Sequence, residues 1–486
     1  MNFLSSIDPS RSFCEVTRRE LLQRSAVGFG GLALESMLGQ TQRETGSWTH
    51  HPSAAKRVIF LFMHGGPSHV DTFDYKPLLA RDHDKPLPFA KPRVQFAQTG
   101  HLMASPWSFR RHGQSGQWAS ELFPHVAEMS DELCMIKSIY GSNEAHGGAL
   151  LKIHTGSDTF VRPSMGSWVS YGLGSENQNL PAFVTIQPTL GHGGVQNFGS
   201  AFLPAAYQGV RIGHQGGDAK ILSIPNLKPP EGMTRETQGR GLAYLERLNR
   251  LQLGAVGQDA YLESRIASFE LAFRMQMEAP HWMDLSGVSS QRAKLYGMDS
   301  AHTERFARQC LLAARLSEAG VRFVQCSHAY WDQHSQLKKD HQRLAAEVDK
   351  PIAGLLQDLK ARGLLEDTLV IWGGEFGRTP TAQGKDGRDH NPHAFTWWMA
   401  GGGVRGGFSH GATDEYGYYA VRDKVHVHDL HATILHLLGL DHERLTYRYA
   451  GRDFRLTDVD GKVVQPILRQ TIMGSQSVGG GVKSVG

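Results

Sequence analysis

Five short segments carry residue types that bind cations and move protons, and each falls where a strand is expected to end or a helix to begin. The densest is Gly387-Arg388-Asp389-His390-Asn391-Pro392-His393, with two imidazoles and a carboxylate inside five residues. Such a run, punctuated by proline, suits a divalent metal held by His390, His393 or both. Ser327-His328-Ala329-Tyr330-Trp331-Asp332-Gln333-His334 offers Asp332 and His334, close enough to converge on one ion. Gly373-Gly374-Glu375-Phe376-Gly377-Arg378-Thr379-Pro380 sets a carboxylate near a guanidinium, as a metal ligand (Glu375) beside an oxyanion clamp (Arg378) would be. In His64-Gly65-Gly66-Pro67-Ser68-His69-Val70-Asp71-Thr72-Phe73-Asp74, the glycines let backbone amides approach an anion or metal, and Asp71 could ligate. His146 opens an expected helix, where free N–H groups and the positive dipole end attract oxyanions. A histidine there could serve as nucleophile, general base or metal ligand. The plainer alternatives are a Glu–Arg surface pair, a polar turn with surface histidines, and a helix-end histidine bonded locally.

The elements that must position these segments alternate between strand and helix. Residues 58–63 (VIFLFM) are an uninterrupted apolar run ending at His64-Gly65-Gly66, the pattern of a buried parallel strand opening into a glycine loop. Further strands are expected at 133–139, 181–187, 321–326, 368–373 and 394–399. Helices are expected at 121–129, from 146, at 164–171, 260–277, 303–319, 335–362 and 427–438. Between 188 and 258 the alternation breaks down into Gly, Pro, Asn and Gln, with helical periodicity only at 241–253, which predicts a cap or long loop over a cleft. The expectation is an α/β domain over 56–460, a mostly parallel sheet sandwiched between helices. Ligands of such sheets sit at the carboxyl ends of the strands. Residues 461–486 read as a tail, disordered at its Gly-, Ser- and Val-rich end.

Composition narrows the function classes. Hydrophobic content of 40% and charged content of 20% are those of a soluble globular protein, and a net charge of +4 over 486 residues makes no case for nucleic-acid or anionic-membrane binding. Twenty-five histidines, many clustered with Asp, Glu and Asn, fit metal binding. His426, His428, His431 and His436 lie on or beside an amphipathic helix and read as packing or surface residues. Cys14 falls in the leader, leaving Cys134, Cys310 and Cys326, an odd number in apolar surroundings that predicts buried free thiols.

Together the five segments resemble, in order and spacing, the family called domain of unknown function 1501, a sulfatase-related branch of the alkaline phosphatase superfamily. The resemblance runs from about Lys56 to Arg455. It implies an alkaline-phosphatase-like fold, with Asp71 as the carboxylate after the first strand, and Asp332 and His334 on one metal. Glu375 stands in for a later metal-binding Asp, and His390 or His393 fills the last His position. His146 stands in the nucleophile slot, nine residues before the Thr155-Gly156 pair. No Cys-x-Pro-Ser-Arg or Ser-x-Pro-x-Arg stretch occurs, so formylglycine sulfatase chemistry is not expected. What remains is a metal-dependent hydrolase of phosphate or sulfate esters, acting on a small molecule or glycan, with zinc, magnesium, manganese or calcium as the divalent ion. The rival is a non-catalytic metal-containing binding protein for anionic glycans.

Residues 1–55 read as a leader and linker. Arg18-Arg19, followed by a weakly apolar Gly-rich stretch, resembles a twin-arginine export signal and implies contact with that export machinery and a periplasmic or extracellular location. The stretch is short and interrupted by Glu35, which excludes a stable membrane span.

Overall fold

In the computed structural model, which describes residues 49–90, 99–216, 222, 224, 232–256 and 259–469, the main sheet is built from nine strands. In chain order the strands are β1 (Arg57–Met63), β2 (Leu133–Tyr140), β3 (Phe183–Ile186), β4 (Val210–Ile212), β5 (Phe323–His328) and β6 (Thr368–Gly373). A separate hairpin, β7 (Gly377–Gln383) and β8 (Gly387–Asn391), precedes β9 (Phe395–Ala400), β10 (Phe408–His410) and β11 (Val425–His426). The sheet order is β10-β2-β9-β6-β1-β5-β3-β4, with β11 also on β2. Only β9 runs antiparallel to its neighbours. The paired arginines Arg18 and Arg19 and the tail beyond 469 lie outside the described residues. Among the described residues, no helix is long and apolar enough to cross a membrane.

The run VIFLFM becomes the central strand because both its faces are covered. Ile59, Leu61 and Met63 enter one core with α5 (Glu304–Glu318) and α6 (Leu337–Ala361), both numbered after α1 (His146–Thr155), α2 (Met165–Leu173), α3 (Arg235–Val256) and α4 (Ala260–Met283). Val58, Phe60 and Phe62 enter the other core with α1, α2 and α7 (Val427–Leu437). The two-residue period of a strand thus feeds two separate layers, and the expected sheet between helices is the fold observed. Cys134, Cys310 and Cys326 are buried free thiols, as expected.

Two expectations change. Of residues 121–129, only Pro124–Ala127 is helical. Proline at the first helical position can open a helix, but it disfavours helical backbone in the residue before it, so Phe123 (φ −124°, ψ 58°) stays outside. Within 188–258, Val210–Ile212 adds an edge strand to the main sheet, and the helical part extends over Arg235–Val256.

The histidines of α7 hold α1 in place. His428 and His431 bring Nε2 to 2.7 Å from the carbonyls of Gly156 and Ile153, capping groups at the end of α1 that have no partner in the helix. Burial pushes the imidazole of His431 down to about 3, and that of His341 likewise to about 3. Both are therefore neutral when folded, whereas each binds a proton near 6.5 when unfolded. The unfolded chain then takes up more protons below pH 6.5. Stability is expected to be lost as pH falls through the range from about 6.5 to 3, each histidine contributing a slope of up to about 1.4 kcal/mol per pH unit. Urea unfolding at pH 7 and pH 5 measures this. The His431→Gln variant, which keeps a donor, should show a slope smaller by about one proton, and an unchanged slope would contradict the assignment.

Candidate metal and catalytic centre

The side chains that gather at the carboxyl edge of the sheet come from loops after five parallel strands. His64 follows β1, His146 follows β2 at the start of α1, and His192 follows β3. Asp332 and His334 follow β5, while Glu375 and the β7–β8 hairpin with His390 follow β6. Close backbone approach is what the glycines after β1 permit. A Cβ on Gly65 (φ 115°) would lie 2.7 Å from the amide nitrogen of Trp331 and 2.8 Å from that of Asp332.

Asp332 is the focus. Nε2 of His334 lies 2.9 Å, and Nε2 of His390 3.1 Å, from its Oδ1. Nε2 of His146 is 3.2 Å from Oδ2, without hydrogen-bond geometry. In all three rings the other nitrogen faces an oxygen. Nδ1 of His146 meets Glu375 Oε1 at 2.8 Å, Nδ1 of His390 meets the carbonyl of Glu144 at 2.6 Å, and Nδ1 of His334 meets Gln383 Oε1. An acceptor oxygen at Nδ1 calls for the proton there, which leaves each neutral ring with a bare Nε2 lone pair aimed at a carboxylate. Lone pairs and a carboxylate repel unless cations lie among them: Arg378 reaches Asp332 Oδ1 alone, and shared protons or a metal ion would serve the rings. His146, Asp332 and His390 also offer one atom each within 4.8 Å of one another.

The protonation pattern without metal shows the same pull. Burial lowers the pKa of His146, but Asp332 and Glu375 on its two nitrogens outweigh that and raise it to about 9. Asp332 is held far below the carboxylate range, because the imidazoles and Arg378 overcome its burial. The hydrogen bond to Asp332 raises His334, whereas burial lowers His390 and His64.

Several expected roles change with the geometry. Glu375 is buried, and both its oxygens accept the N–H of Gly65 (2.9 and 3.1 Å), so it orients His146 rather than facing Asp332. Arg378, at 0% exposure, is not presented as an oxyanion clamp. Its guanidinium donates to the carbonyls of Gly65, Gly66, Trp331 and Arg388 and to Asp332 Oδ1 (2.6 Å), tying three loops together. Asp71 is not brought to the imidazoles. Arg388 holds its carboxylate through two bonds (2.6 and 3.1 Å), Ser68 adds a third, and both side chains are fully buried. His393 is exposed and packs against Tyr418 and Tyr419, leaving His390 as the histidine of its segment that joins the centre. His64, His192 and Arg388 were not among the expected site residues. For His64 the available signal was a histidine next to glycine directly after an apolar run.

No curated protein matches the chain in sequence. Several solved structures are similar to it at low identity. The phosphonate monoester hydrolase SpPMH from Silicibacter pomeroyi is 12% identical, with 86% of this chain and 78% of that one covered at a TM-score of 0.39. The lipoteichoic acid synthase LtaP from Listeria monocytogenes is 9% identical (86% and 80% covered, TM-score 0.33). The alkaline phosphatase from the Antarctic bacterium TAB5 is 10% identical (80% and 99% covered, TM-score 0.33). Residues 55–468 match the model of one family, and the chain belongs to it: the family described as protein of unknown function, DUF1501.

Proposed function

We propose that the centre hydrolyses phosphate or sulfate esters with a divalent ion held by Asp332, His146, His334 and His390. The observation that carries this reading is the set of three Nε2 atoms facing one carboxylate while each Nδ1 is engaged by an oxygen. Acceptors on the far nitrogen fix the tautomer that binds metal, as carbonyls and carboxylates commonly do behind ligating histidines. A divalent ion bound here would supply Lewis acidity toward the ester and favour deprotonation of water.

The chain's own groups do the rest. Glu375 keeps the Nδ1 proton of His146 in place, which leaves Nε2 as the atom that meets the ion or, when Asp332, His334 and His390 alone hold it, takes or gives a proton or attacks. The first turn of α1 has no side-chain cap, and a side chain at Gly147 would meet nothing within 4 Å, which leaves the helix N-terminus open to an oxyanion. That role replaces the clamp expected of Arg378.

The test uses the full chain and an aryl phosphate or aryl sulfate. Release of phenolate is expected, lost on treatment with a chelator and restored by a divalent ion, and His390→Ala should need more metal to regain it. A metal-loaded protein that turns over neither ester would count against hydrolysis and for binding of an anionic ligand alone.

A further inference from the structure

The centre holds a second group of imidazoles, two of which the ester-hydrolysis reading leaves unused. His64, His146 and His192 each offer a ring nitrogen within 4.8 Å of the other two. Their ring centres lie 5.9 Å (His64–His146), 5.8 Å (His64–His192) and 5.0 Å (His146–His192) apart. They come from the ends of three different parallel strands, so no local sequence feature places them together. His64 is half-buried, yet its Nε2 atom is buried and has no hydrogen-bond partner. Buried polar atoms are nearly always paired, and one left bare in a cleft calls for a ligand. His192 sits at φ 47°, a left-handed backbone that a non-glycine residue adopts at some energetic cost. Gly191, Gly193 and Gly194 surround it, and Asn197 Nδ2 donates to its carbonyl (3.3 Å), so the loop presents the ring at a defined place.

We propose that His64, His146 and His192 form a three-imidazole seat for a borderline divalent cation of the zinc, cobalt or copper class; His146 Nε2 serves this seat or the Asp332 group, one at a time, because its Nδ1 is engaged by Glu375. It deepens the metal reading above and rests on it only in that a divalent ion enters this cleft. Three imidazole nitrogens favour such ions over magnesium or calcium, which prefer oxygen. Three histidines also leave a fourth position free, the arrangement of ions that bind water or substrate. Nitrogens around a tetrahedral ion with bonds of about 2.1 Å stand roughly 3.4 Å apart. The seat would therefore close somewhat on binding.

The test is spectroscopic and independent of turnover. Full-length chain stripped of metal would be titrated with Co(II) and followed by visible absorption, alongside His192→Ala and His192→Cys. His192→Ala should weaken Co(II) binding about tenfold or more, and His192→Cys should restore binding with a new thiolate-to-cobalt band in the near ultraviolet. Unchanged affinity in His192→Ala, cobalt bound by His192→Cys without that band, or tighter binding of Mg(II) than of Co(II) would each overturn the seat. Ester hydrolysis that survives such a result leaves the hydrolase reading standing. Cobalt binding that depends on His192 in a protein that hydrolyses no ester leaves the seat standing without it.

Discussion

Replacing His146 with alanine is expected to slow ester hydrolysis by a factor of about 10² to 10⁴, the range for losing a positioned proton-transfer group. The measurement is kcat at saturating divalent ion, because His146 belongs to both groups of candidate ligands and its loss should also weaken metal binding. Saturation separates the two effects: a residual rate near wild type at high metal would show that His146 is a ligand only. The variant should still fold. It leaves Glu375 buried with the Gly65 amide still donating to it at 2.9 and 3.1 Å, at a stability loss of roughly 1–3 kcal/mol. Circular dichroism and the urea midpoint check that the lost rate is not lost fold.

Asp71→Ala is expected to produce the largest loss of stability, about 3–5 kcal/mol, because it strands a fully buried guanidinium. Arg388 has no exposed surface, and its other bonds, to the carbonyls of Thr379 (3.1 Å) and Met103 (3.0 Å), do not neutralise its charge. The double variant Asp71→Leu with Arg388→Met removes both charges together and should recover much of the loss, so the pair shows strong coupling in urea unfolding. This separates the two roles considered for Asp71. A metal ligand would give up bound ion on substitution and lose little stability in the metal-free chain, whereas an ion-pair partner destabilises the chain with or without metal. The pH dependence has a defined sign. Arg388 and Ser68 overcome burial and hold Asp71 below 3.8, so the pair stabilises fully above that value and is lost as pH falls through the lower folded value.

Sequence alone determined the layered α/β fold and the segments that meet at one edge of its sheet. Residues 58–63 have no polar position to turn toward water, so they had to be covered on both faces, and the strands expected near 133, 321, 368 and 394 appear in the structure. The placement of chemistry at the ends of strands was legible for the same reason: glycines and clustered polar residues directly follow the apolar runs. Which members of those segments touch one another was decided by the tertiary structure. Asp71 and Asp332 are alike as residue types and each meets a buried arginine, but only Asp332 also meets three imidazoles. Arg378 read as a clamp because a guanidinium near a carboxylate suits an anion, while burial under three loops spends its donors on backbone carbonyls. His192 could not be found from spacing, since it is brought to His64 and His146 only by the pairing of β3 with β5 and of β5 with β1. Period and polarity set which segments reach the edge; the three-dimensional packing of charged and ring nitrogens against their neighbours sets which of them are free to react.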